Sequence, residues 1–282
     1  MTNSSNTLGQ SAADALARAR DTAHAAAQLL CRAAIANVAP KPDTSHTSLA
    51  WAQAHGALVT QPMSTVLGPI HVAMSLAPLQ ISILHAGRRT AVLELNGRRM
   101  DEAEAWLDER LELCALNPVT GTTLPYELPP AVAQIDRLTV GDDAQAFAEL
   151  VGWYDLANSQ LAALAKSKAQ HAIEPAPVRC WPHHFDIAIY VQLEAGELES
   201  ARGIGAGMAP GDSAYDQPYF YVNPFPAPNP EQLPQAPKPG HWHVQGFVGA
   251  CATREEILVS PLTADSLTAF LDESFEIGLS AR

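Results

Sequence analysis

Two short stretches carry histidines in arrangements that could bind a metal ion. The first is "HHFD", which ends at Asp186, and the second is "HWH", from His241 to His243. Imidazole nitrogens and carboxylate oxygens are ligands that proteins offer to zinc, iron, manganese and nickel. A metal with an open coordination position lowers the pKa of a bound water, which can then attack an electrophile. These residue types indicate a divalent transition metal and hydrolase-like chemistry.

The alternation of side chains along a β-strand selects the residues that could meet around such an ion. In "HFDIAIYV", His184 and Asp186 fall on the face opposite a run of aliphatic residues. In "HWHVQGFVGA", His241 and His243 share one face. If the two strands are neighbours with their core faces aligned, the four side chains converge. We therefore predict that these four residues are the metal ligands.

Other side chains on the same strands form a predicted ligand-binding set. "PYFYVNP" places Tyr219, Tyr221 and Asn223 on one face, and alternation adds Tyr190 and Gln245. A concave surface with a few convergent polar groups is where proteins usually bind small molecules. The same residues without a metal suggest the alternative function, which is non-catalytic binding of a small molecule or a peptide.

A structural role for the histidines stays open beside these two hypotheses. His183 or His184 could simply satisfy a buried backbone carbonyl. Pro182 stands at the strand boundary, and a shift of the strand by one residue would exchange His183 for His184 on the polar side.

Three weaker motifs bear on function. "GIGAGMAPGD" resembles a dinucleotide fingerprint, but Met208 occupies the place of the third glycine and no helix follows, so we expect no nucleotide. We expect its glycines to permit close packing or a bulge. In "RDTAH", Asp21 and His24 are three residues apart on a helix and face the same way. They could contribute to a site or form an exposed pair, and we expect the exposed pair. The chain has no G-x-S-x-G elbow, so a serine hydrolase has no support.

Charge and cysteine content limit the classes of partner and compartment. The formal net charge is −13, and nucleic acids and anionic membranes both require basic patches, so we expect neither partner. The four cysteines are dispersed without a Cys-x-x-Cys pair, which is typical of buried thiols in a reducing compartment. The N-terminus lacks the basic region of a signal peptide. We therefore expect a soluble cytoplasmic protein.

The pattern of helices and strands predicts an α+β fold. Apolar residues at helical spacing predict helices at about 11–37, 100–116, 142–170 and 263–279. Aliphatic segments punctuated by turn residues predict strands within 55–96 and at about 184–193, 202–208, 218–223 and 241–250. Because strands are grouped with strands, we expect antiparallel or mixed sheets flanked by long helices. We expect residues 1–10 to be disordered and residues 11–282 to form one compact domain, with 11–170 and 171–282 as its halves if it divides.

Several of these stretches together resemble a known family. "RDTAH", the strand meander, "RCWPHHFDIA", "PGDSAYDQPYFYVNPFP" and "HWHVQGFVGA" follow one another in the order found in a set of bacterial proteins. The chain is similar to the family catalogued as domain of unknown function 5996, over roughly residues 14–258. The resemblance implies a bacterial, soluble, single-domain protein, and it carries no activity and no catalytic residues.

The sequence thus predicts a metal-dependent, hydrolase-like enzyme that acts on a small polar substrate at the His/Asp cluster. A metal-free binding protein is the alternative. Exposed strand edges and the proline-rich loop before His241 leave homo-oligomer formation open.

Overall fold

Helices and antiparallel strands occur in separate groups along the chain, as predicted for an α+β protein. The computed structural model describes residues 8–174, 176–196, 200–259 and 264–281. Within them the helices are α1 (Ala13–Asn37), α2 (Met100–Glu112), α3 (Pro130–Ala133), α4 (Ala144–Ser167), α5 (Arg254–Val259) and α6 (Ala264–Ser280). The strands are β1 (Ala50–Ala52), β2 (Ala57–Val59), β3 (Ile70–Ser75), β4 (Gln80–His85), β5 (Arg88–Glu94), β6 (Arg98–Arg99), β7 (Arg137–Leu138), β8 (Arg179–Trp181), β9 (Asp186–Gln192), β10 (Gly203–Ala209), β11 (Tyr219–Phe225), β12 (His241–His243) and β13 (Gly249–Thr253).

The chain divides into two compact units. The first contains the described residues up to Asp155 together with Cys180–Phe185, and the second contains Leu156–Arg179 and the described residues from Asp186 onward. The predicted dividing point at residue 170 therefore falls inside a segment of the second unit. The first unit has the sheet β1-β2-β3-β4-β5 and the small pair β6-β7, and the second sheet has the order β12-β13-β11-β10-β9-β8.

Helix α1 supplies much of the core of the first unit. Alanine has the strongest helix propensity, and the helix ends at Asn37, shortly before Pro40. The predicted apolar stripe is buried, with Leu16 and Leu30 at most 1% exposed. The helix packs against β3, α3 and β7. Neither α1 nor any other helix of the described residues is long and apolar enough to cross a bilayer.

The chain before α1 is tied to a buried carboxylate on α4. Glu149 has no exposed surface. Its two oxygens accept hydrogen bonds from the backbone N–H groups of Gly9 (2.8 Å) and Ser11 (2.7 Å), and the indole of Trp153 donates to it at 3.2 Å. Of the residues predicted to be disordered, 1–7 lie outside the described ranges, whereas Gly9 has this fixed partner.

The second sheet buries one face against α6. Alternation places aliphatic and aromatic side chains of β9, β10 and β11 on this face, where they are 0–2% exposed: Ile187, Ile189, Val191, Ile204, Ala206, Met208, Phe220 and Val222. Helix α6 contributes Phe270, Leu271 and Phe275, each at most 1% exposed. Burial of this face fixes which side chains of the same strands must point the other way.

The glycines of β10 make room on that other face. A Cβ added to Gly203 would lie 2.2 Å from the Tyr190 hydroxyl, and one at Gly207 would lie 2.5 Å from the Tyr221 hydroxyl. Real Cβ atoms do not approach other atoms so closely, so the tyrosine rings can cross β10 only where it has glycine. The glycines of "GIGAG" thus permit close packing, as predicted, and no helix follows them.

Candidate functional site

One face of the second sheet carries most of the residues that the alternation rule selected. The register pairs Tyr221 with Gly207 and with Cys251, and it pairs Cys251 with His241. Residues opposite each other in register point to the same face, which places Tyr221 and His241 together. Two-residue steps along the strands complete the set, which we call the polar face: Asp186, Tyr190, Tyr219, Tyr221, Asn223, His241 and His243. The alternation prediction is confirmed for these seven residues.

The polar face does not bring the predicted metal ligands together. Strands β10, β11 and β13 lie between β9 and β12, so the assumption that the two histidine-bearing segments are neighbours was wrong. At about 4.8 Å per strand, Asp186 is roughly 19 Å from the strand of His241 and His243. Ligands of one zinc ion lie about 2 Å from it. Among the described residues, no group of three or more His, Cys, Asp or Glu side chains is placed to hold a metal ion.

His184 lies in a turn and not on a strand. Strand β9 begins at Asp186, two residues later than predicted. The N–H groups of His184 and Phe185 both donate to the carbonyl of Trp181, at 3.2 and 2.7 Å. Phe185 has a φ of 58°, which is a left-handed conformation that bulky residues rarely adopt. This turn breaks the alternation before Asp186, so the rule cannot be extended to His184.

Contacts within the first unit hold this turn. The ring of His24 stacks on Phe185 with centroids 5.1 Å apart, and Tyr154 donates to the Phe185 carbonyl at 2.6 Å. Nε2 of His24 lies 2.8 Å from the Pro182 carbonyl oxygen. His24 is only 4% exposed, so the prediction of an exposed Asp21–His24 pair was wrong. Burial lowers the pKa of His24 to about 4.

The doubled histidine forms a separate aromatic cluster in the first unit. The rings of His183 and His184 are 4.3 Å apart, and His183 also contacts Tyr126 and Trp181. Burial lowers the pKa of His183 to about 4, whereas His184 is exposed. His183 and His184 thus contact side chains of the first unit, whereas His241 and His243 lie on the sheet of the second unit.

A continuous chain of polar contacts occupies the β12 end of the polar face. A carboxylate oxygen of Glu256 lies 2.9 Å from Nδ1 of His241, and Nε2 of His241 lies 2.7 Å from the Tyr215 hydroxyl. That hydroxyl lies 2.9 Å from Nδ1 of His243, whose Nε2 is 2.5 Å from the carbonyl oxygen of Gln245. We call these five residues the relay chain. The predicted residues His241, His243 and Gln245 belong to it, the last through its backbone.

A helix cap positions the carboxylate at one end of the relay chain. Thr253 precedes α5, and its N–H and hydroxyl donate to Oε2 of Glu256 at 2.8 and 3.0 Å. The N–H of Glu256 in turn donates to the Thr253 hydroxyl at 3.4 Å. This reciprocal arrangement is a capping box. It fixes Oε2 as an acceptor from Thr253 and leaves Oε1 nearest to His241.

A turn anchored by Asp212 positions Tyr215, the residue in the middle of the relay chain. The N–H groups of Ala214 and Tyr215 donate to Oδ1 of Asp212 at 2.7 and 3.2 Å, which is an Asx turn. The other oxygen accepts from the Tyr219 hydroxyl at 2.7 Å. The Tyr215 and Tyr219 rings are 4.8 Å apart. Burial, with Cys251 and Glu256 nearby, raises the pKa of Tyr215 to about 12, so its hydroxyl keeps its proton at neutral pH.

The remaining tyrosines of the polar face are paired with carboxylates. Tyr221 donates to Oδ2 of Asp186 at 2.5 Å, as Tyr219 does to Asp212. Burial is the main cause that raises the pKa of both phenols, and the adjacent carboxylates add to it. Both hydroxyls therefore remain neutral donors. Burial also raises the pKa of the Cys251 thiol to about 12, which makes this cysteine a poor nucleophile at neutral pH.

The other predicted ligand-binding residues lie outside the relay chain. Tyr190 is half-buried on β9, and its hydroxyl makes only a 3.5 Å contact with the Ala201 carbonyl. Asn223 lies over Gly205. Gln245 is exposed in the bend after β12, beyond the last residue of that strand.

Sequence reasoning missed Tyr215 and Glu256. Tyr215 lies in the turn between β10 and β11 and Glu256 lies in α5, both outside the strands in which histidines were sought, and each carries a local signal. "TREE" has the T-x-x-E pattern of a capping box, which predicts a helix start and a fixed carboxylate at Glu256. "GDSAY" has the aspartate of an Asx turn, which directs Tyr215 back toward the sheet.

Comparison with family models, with curated proteins and with solved structures finds no match to this chain.

Proposed function

We propose that the protein is an enzyme that acts on a small polar molecule at the β12 end of the polar face and that the relay chain transfers protons in the reaction. The observation that carries this proposal is the unbroken series of four contacts from Glu256 to the Gln245 carbonyl, each between 2.5 and 2.9 Å. An uninterrupted series of this kind can pass a proton from one end to the other.

The contacts of the relay chain fix the number of hydrogens that it must contain. Each contact needs one hydrogen between its two atoms, and both ends are acceptors, a carboxylate and a carbonyl. A neutral His241, a neutral His243 and Tyr215 supply one hydrogen each, which gives three for four contacts. Satisfying all four contacts therefore takes one additional proton. The relay chain therefore holds a single exchangeable proton.

The additional proton can lie on either ring. With the proton on His241, that ring donates to Glu256 and to Tyr215, and Tyr215 donates to His243. With the proton on His243, that ring donates to Tyr215 and to the Gln245 carbonyl, and Tyr215 donates to His241. A shift of two hydrogens across the Tyr215 hydroxyl converts one form into the other, so the phenol is the point of transfer.

A substrate can reach this chain from solvent. The side chain of His241 is 40% exposed, and Gln245 lies in an exposed bend. We propose that the leaving-group oxygen of an ester or phosphate replaces the Gln245 carbonyl at Nε2 of His243. As water attacks the carbonyl carbon or phosphorus, the bond to that oxygen breaks and the oxygen takes the proton of the relay chain, while the proton released by the attacking water passes to solvent, from which the relay chain is reprotonated. General acid–base catalysis of this kind contributes about 10²–10⁴ in rate, and it matters most for an unactivated ester or phosphate, whose leaving oxygen needs the proton.

A metal-dependent form of the reaction would require the relay chain to break. Every ring nitrogen of His241 and His243 already faces a hydrogen-bond partner. A metal ion would have to displace Tyr215, Glu256 or the Gln245 carbonyl from at least one of them. Proton transfer by the chain itself needs no such rearrangement.

Non-catalytic binding is the second candidate function. It is favoured by the closed pairs Tyr219–Asp212 and Tyr221–Asp186, which hold the buried Tyr219 and the half-buried Tyr221 in fixed positions. A polar face held in this way needs little reordering when a ligand binds its exposed residues.

Hydrolysis of phenyl acetate and phenyl phosphate, followed by release of phenol, tests the enzymatic proposal, with NMR binding of polar fragments measured in parallel. We expect turnover of at least one ester, about a hundredfold slower in Tyr215→Phe and unchanged in Tyr190→Phe, which alters a hydroxyl of the same face outside the chain. Chelator should leave the rate unchanged, and a rate that chelator abolishes would support the metal-dependent form instead. Fragment binding without turnover would support the second candidate, and neither signal would contradict both.

A further inference from the structure

One short segment places both an oxygen and an aromatic ring against His243. Residues 244–248, which we call the β12–β13 bend, connect the register pair His243 and Gly249. The Gln245 carbonyl oxygen lies 2.5 Å from Nε2 of His243, and the Phe247 ring stacks on the same imidazole with centroids 4.3 Å apart and planes 24° apart. His243 thus has an acceptor at its edge and a ring over its face.

The Phe247 ring occupies a site lined by the second sheet. Its Cε2 atom lies 3.2 Å from the place where a Cβ on Gly249 would stand, so the ring lies over this glycine. The ring also packs against a buried cluster that contains Tyr219 and Cys251. Phe247 is half-buried, although the three residues before it are exposed. Removal of the ring would therefore leave an open, largely aromatic site beside His243.

Few contacts hold the β12–β13 bend in this position. Among the described residues, the contact between the Gln245 carbonyl and His243 is the only hydrogen bond of residues 244–248 outside the β-ladder. Val244 is 49% exposed. Gly246 has a φ of 86°, and no atom lies within 4 Å of a Cβ added to it. The bend can therefore leave the sheet by giving up this one polar contact.

We propose that the β12–β13 bend fills the substrate site and that the substrate is an ester of an arylmethyl alcohol. The leaving-group oxygen takes the place of the Gln245 carbonyl, and the aromatic ring takes the place of the Phe247 ring. A hydrogen bond from Nε2 lies near the plane of the imidazole, whereas a stacked ring lies over its face, so at least one tetrahedral carbon must join oxygen and ring. This inference rests on the proposed function, which supplies the proton for that oxygen.

The stacked ring and the relay chain support each other with such a substrate. When His243 carries the additional proton, its imidazolium faces the π-surface of the ring, which attracts a cation. The ring thus favours the form in which His243 holds the proton that the leaving oxygen receives. The alkoxide of an arylmethyl alcohol is a poor leaving group, so its departure depends on that proton.

The charges of the site favour a carboxylic ester over a phosphate. The additional proton balances Glu256, and Asp212, which accepts hydrogen bonds from the Tyr219 hydroxyl and two backbone N–H groups, adds one negative charge. Arg254, at the start of α5, donates to the side chain of Gln217 at 3.0 Å. A phosphate with two negative charges would be repelled at this site, whereas a carboxylic ester is neutral.

NMR titration of the full chain with benzyl alcohol and cyclohexylmethanol tests the proposal. Both probes carry the same hydroxymethyl group, and only the first has an aromatic ring. Benzyl alcohol should bind about two- to tenfold more tightly and should shift the amide signals of Gln245, Gly246 and Phe247. Benzyl phosphate, which adds negative charge to the same ring, should bind about tenfold more weakly than benzyl alcohol.

Phe247→Ala removes the ring that competes with the probe, so it should bind benzyl alcohol about two- to tenfold more tightly than the wild type. Val244→Ala, which alters an exposed residue of the same bend, is the matched control and should bind like the wild type. Phe247→Leu keeps an apolar side chain without the ring, and it should change the affinity in the same direction if the alanine variant does not fold.

Three results would each overturn the proposal: no binding of benzyl alcohol, equal affinity for the two alcohols, or weaker binding by Phe247→Ala than by the wild type. Benzyl phosphate that binds as tightly as benzyl alcohol would overturn the choice of a carboxylic ester. Because these titrations need no turnover, they fail separately from the proposed function. Hydrolysis of phenyl acetate with equal affinity for the two alcohols would leave the function standing and overturn this inference. Binding as predicted, with no hydrolysis of benzyl acetate or phenyl acetate, would instead overturn the function and the claim that the ligand is a substrate.

Discussion

The hydroxyl of Tyr215 lies 2.7 Å from Nε2 of His241, although 26 positions separate the two residues in the chain. One comes from a turn fixed by Asp212 and the other from the edge strand β12. The same hydroxyl lies 2.9 Å from His243, so a single phenol joins the two imidazoles. No other group of the relay chain contacts both rings.

Replacing Tyr215 by phenylalanine should destabilise the protein by about 1–3 kcal/mol, because two contacts of one hydroxyl are lost and partly buried nitrogens lose their partner. The midpoint of urea unfolding measures this. Tyr190→Phe removes a hydroxyl with only one long contact, and it should cost less than about 0.5 kcal/mol. Equal effects of the two substitutions would contradict the importance of the Tyr215 contacts.

Gly207→Ala should cost about 1–3 kcal/mol, because its Cβ would lie 2.5 Å from the Tyr221 ring and force the phenol away from Asp186. Chemical denaturation of the single variants and the double variant measures the coupling. In a Tyr221→Ala background the obstacle is gone, and the same glycine substitution should then be nearly neutral. A cost that persists in that background would show that the backbone, and not the ring, requires glycine.

Acidification should destabilise the first unit through His24. The folded protein lowers the pKa of this buried imidazole to about 4, whereas an unfolded chain protonates histidine near 6.5. Below pH 6.5 the unfolded state thus binds more protons, and stability falls as the pH drops from 6.5 toward 4, by at most about 3 kcal/mol. Urea unfolding at pH 7 and pH 4.5 should show a smaller difference in His24→Gln than in the wild type. If the free energy of unfolding changed equally with pH in His24→Gln and in the wild type, the assignment to His24 would be contradicted.

Glu149→Ala should be among the most damaging single substitutions. It removes the shared acceptor of Gly9, Ser11 and Trp153 inside the core and should cost about 3 kcal/mol or more. Thermal unfolding and amide exchange of Gly9 measure the loss. Glu127→Ala, at an exposed position, is the matched control and should be nearly silent. A Gly9 amide that stays protected in Glu149→Ala would contradict the account.

The sequence predicted the fold class because hydrophobic periodicity and turn residues are local signals. It also predicted seven residues of the polar face, because burial of Ile187, Ile189 and their neighbours fixes the opposite side of each strand. Strand order is not a local property. Nothing in "HHFD" or "HWH" records that three strands lie between them, and the metal site depended on that order.

The relay chain shows a second limit of sequence reasoning. His241 and His243 were found because they follow a strand pattern, but their partners come from a turn and a helix cap. The prediction that the strand begins at His184 was wrong for a related reason. The left-handed backbone of Phe185 is held by His24 and Tyr154, which come from distant parts of the sequence. These tertiary contacts are not visible in the residues of the turn.

The nitrogen-15 NMR signals of the histidine rings at pH 7 test the central claim most directly. We predict that His241 and His243 together carry one proton more than two neutral rings. In Glu256→Gln, the amide oxygen can accept from Thr253 while the amide nitrogen supplies the hydrogen toward His241, so both rings should become neutral. Two neutral rings in the wild type, or the same additional proton in Glu256→Gln, would contradict the relay chain as a store of one exchangeable proton.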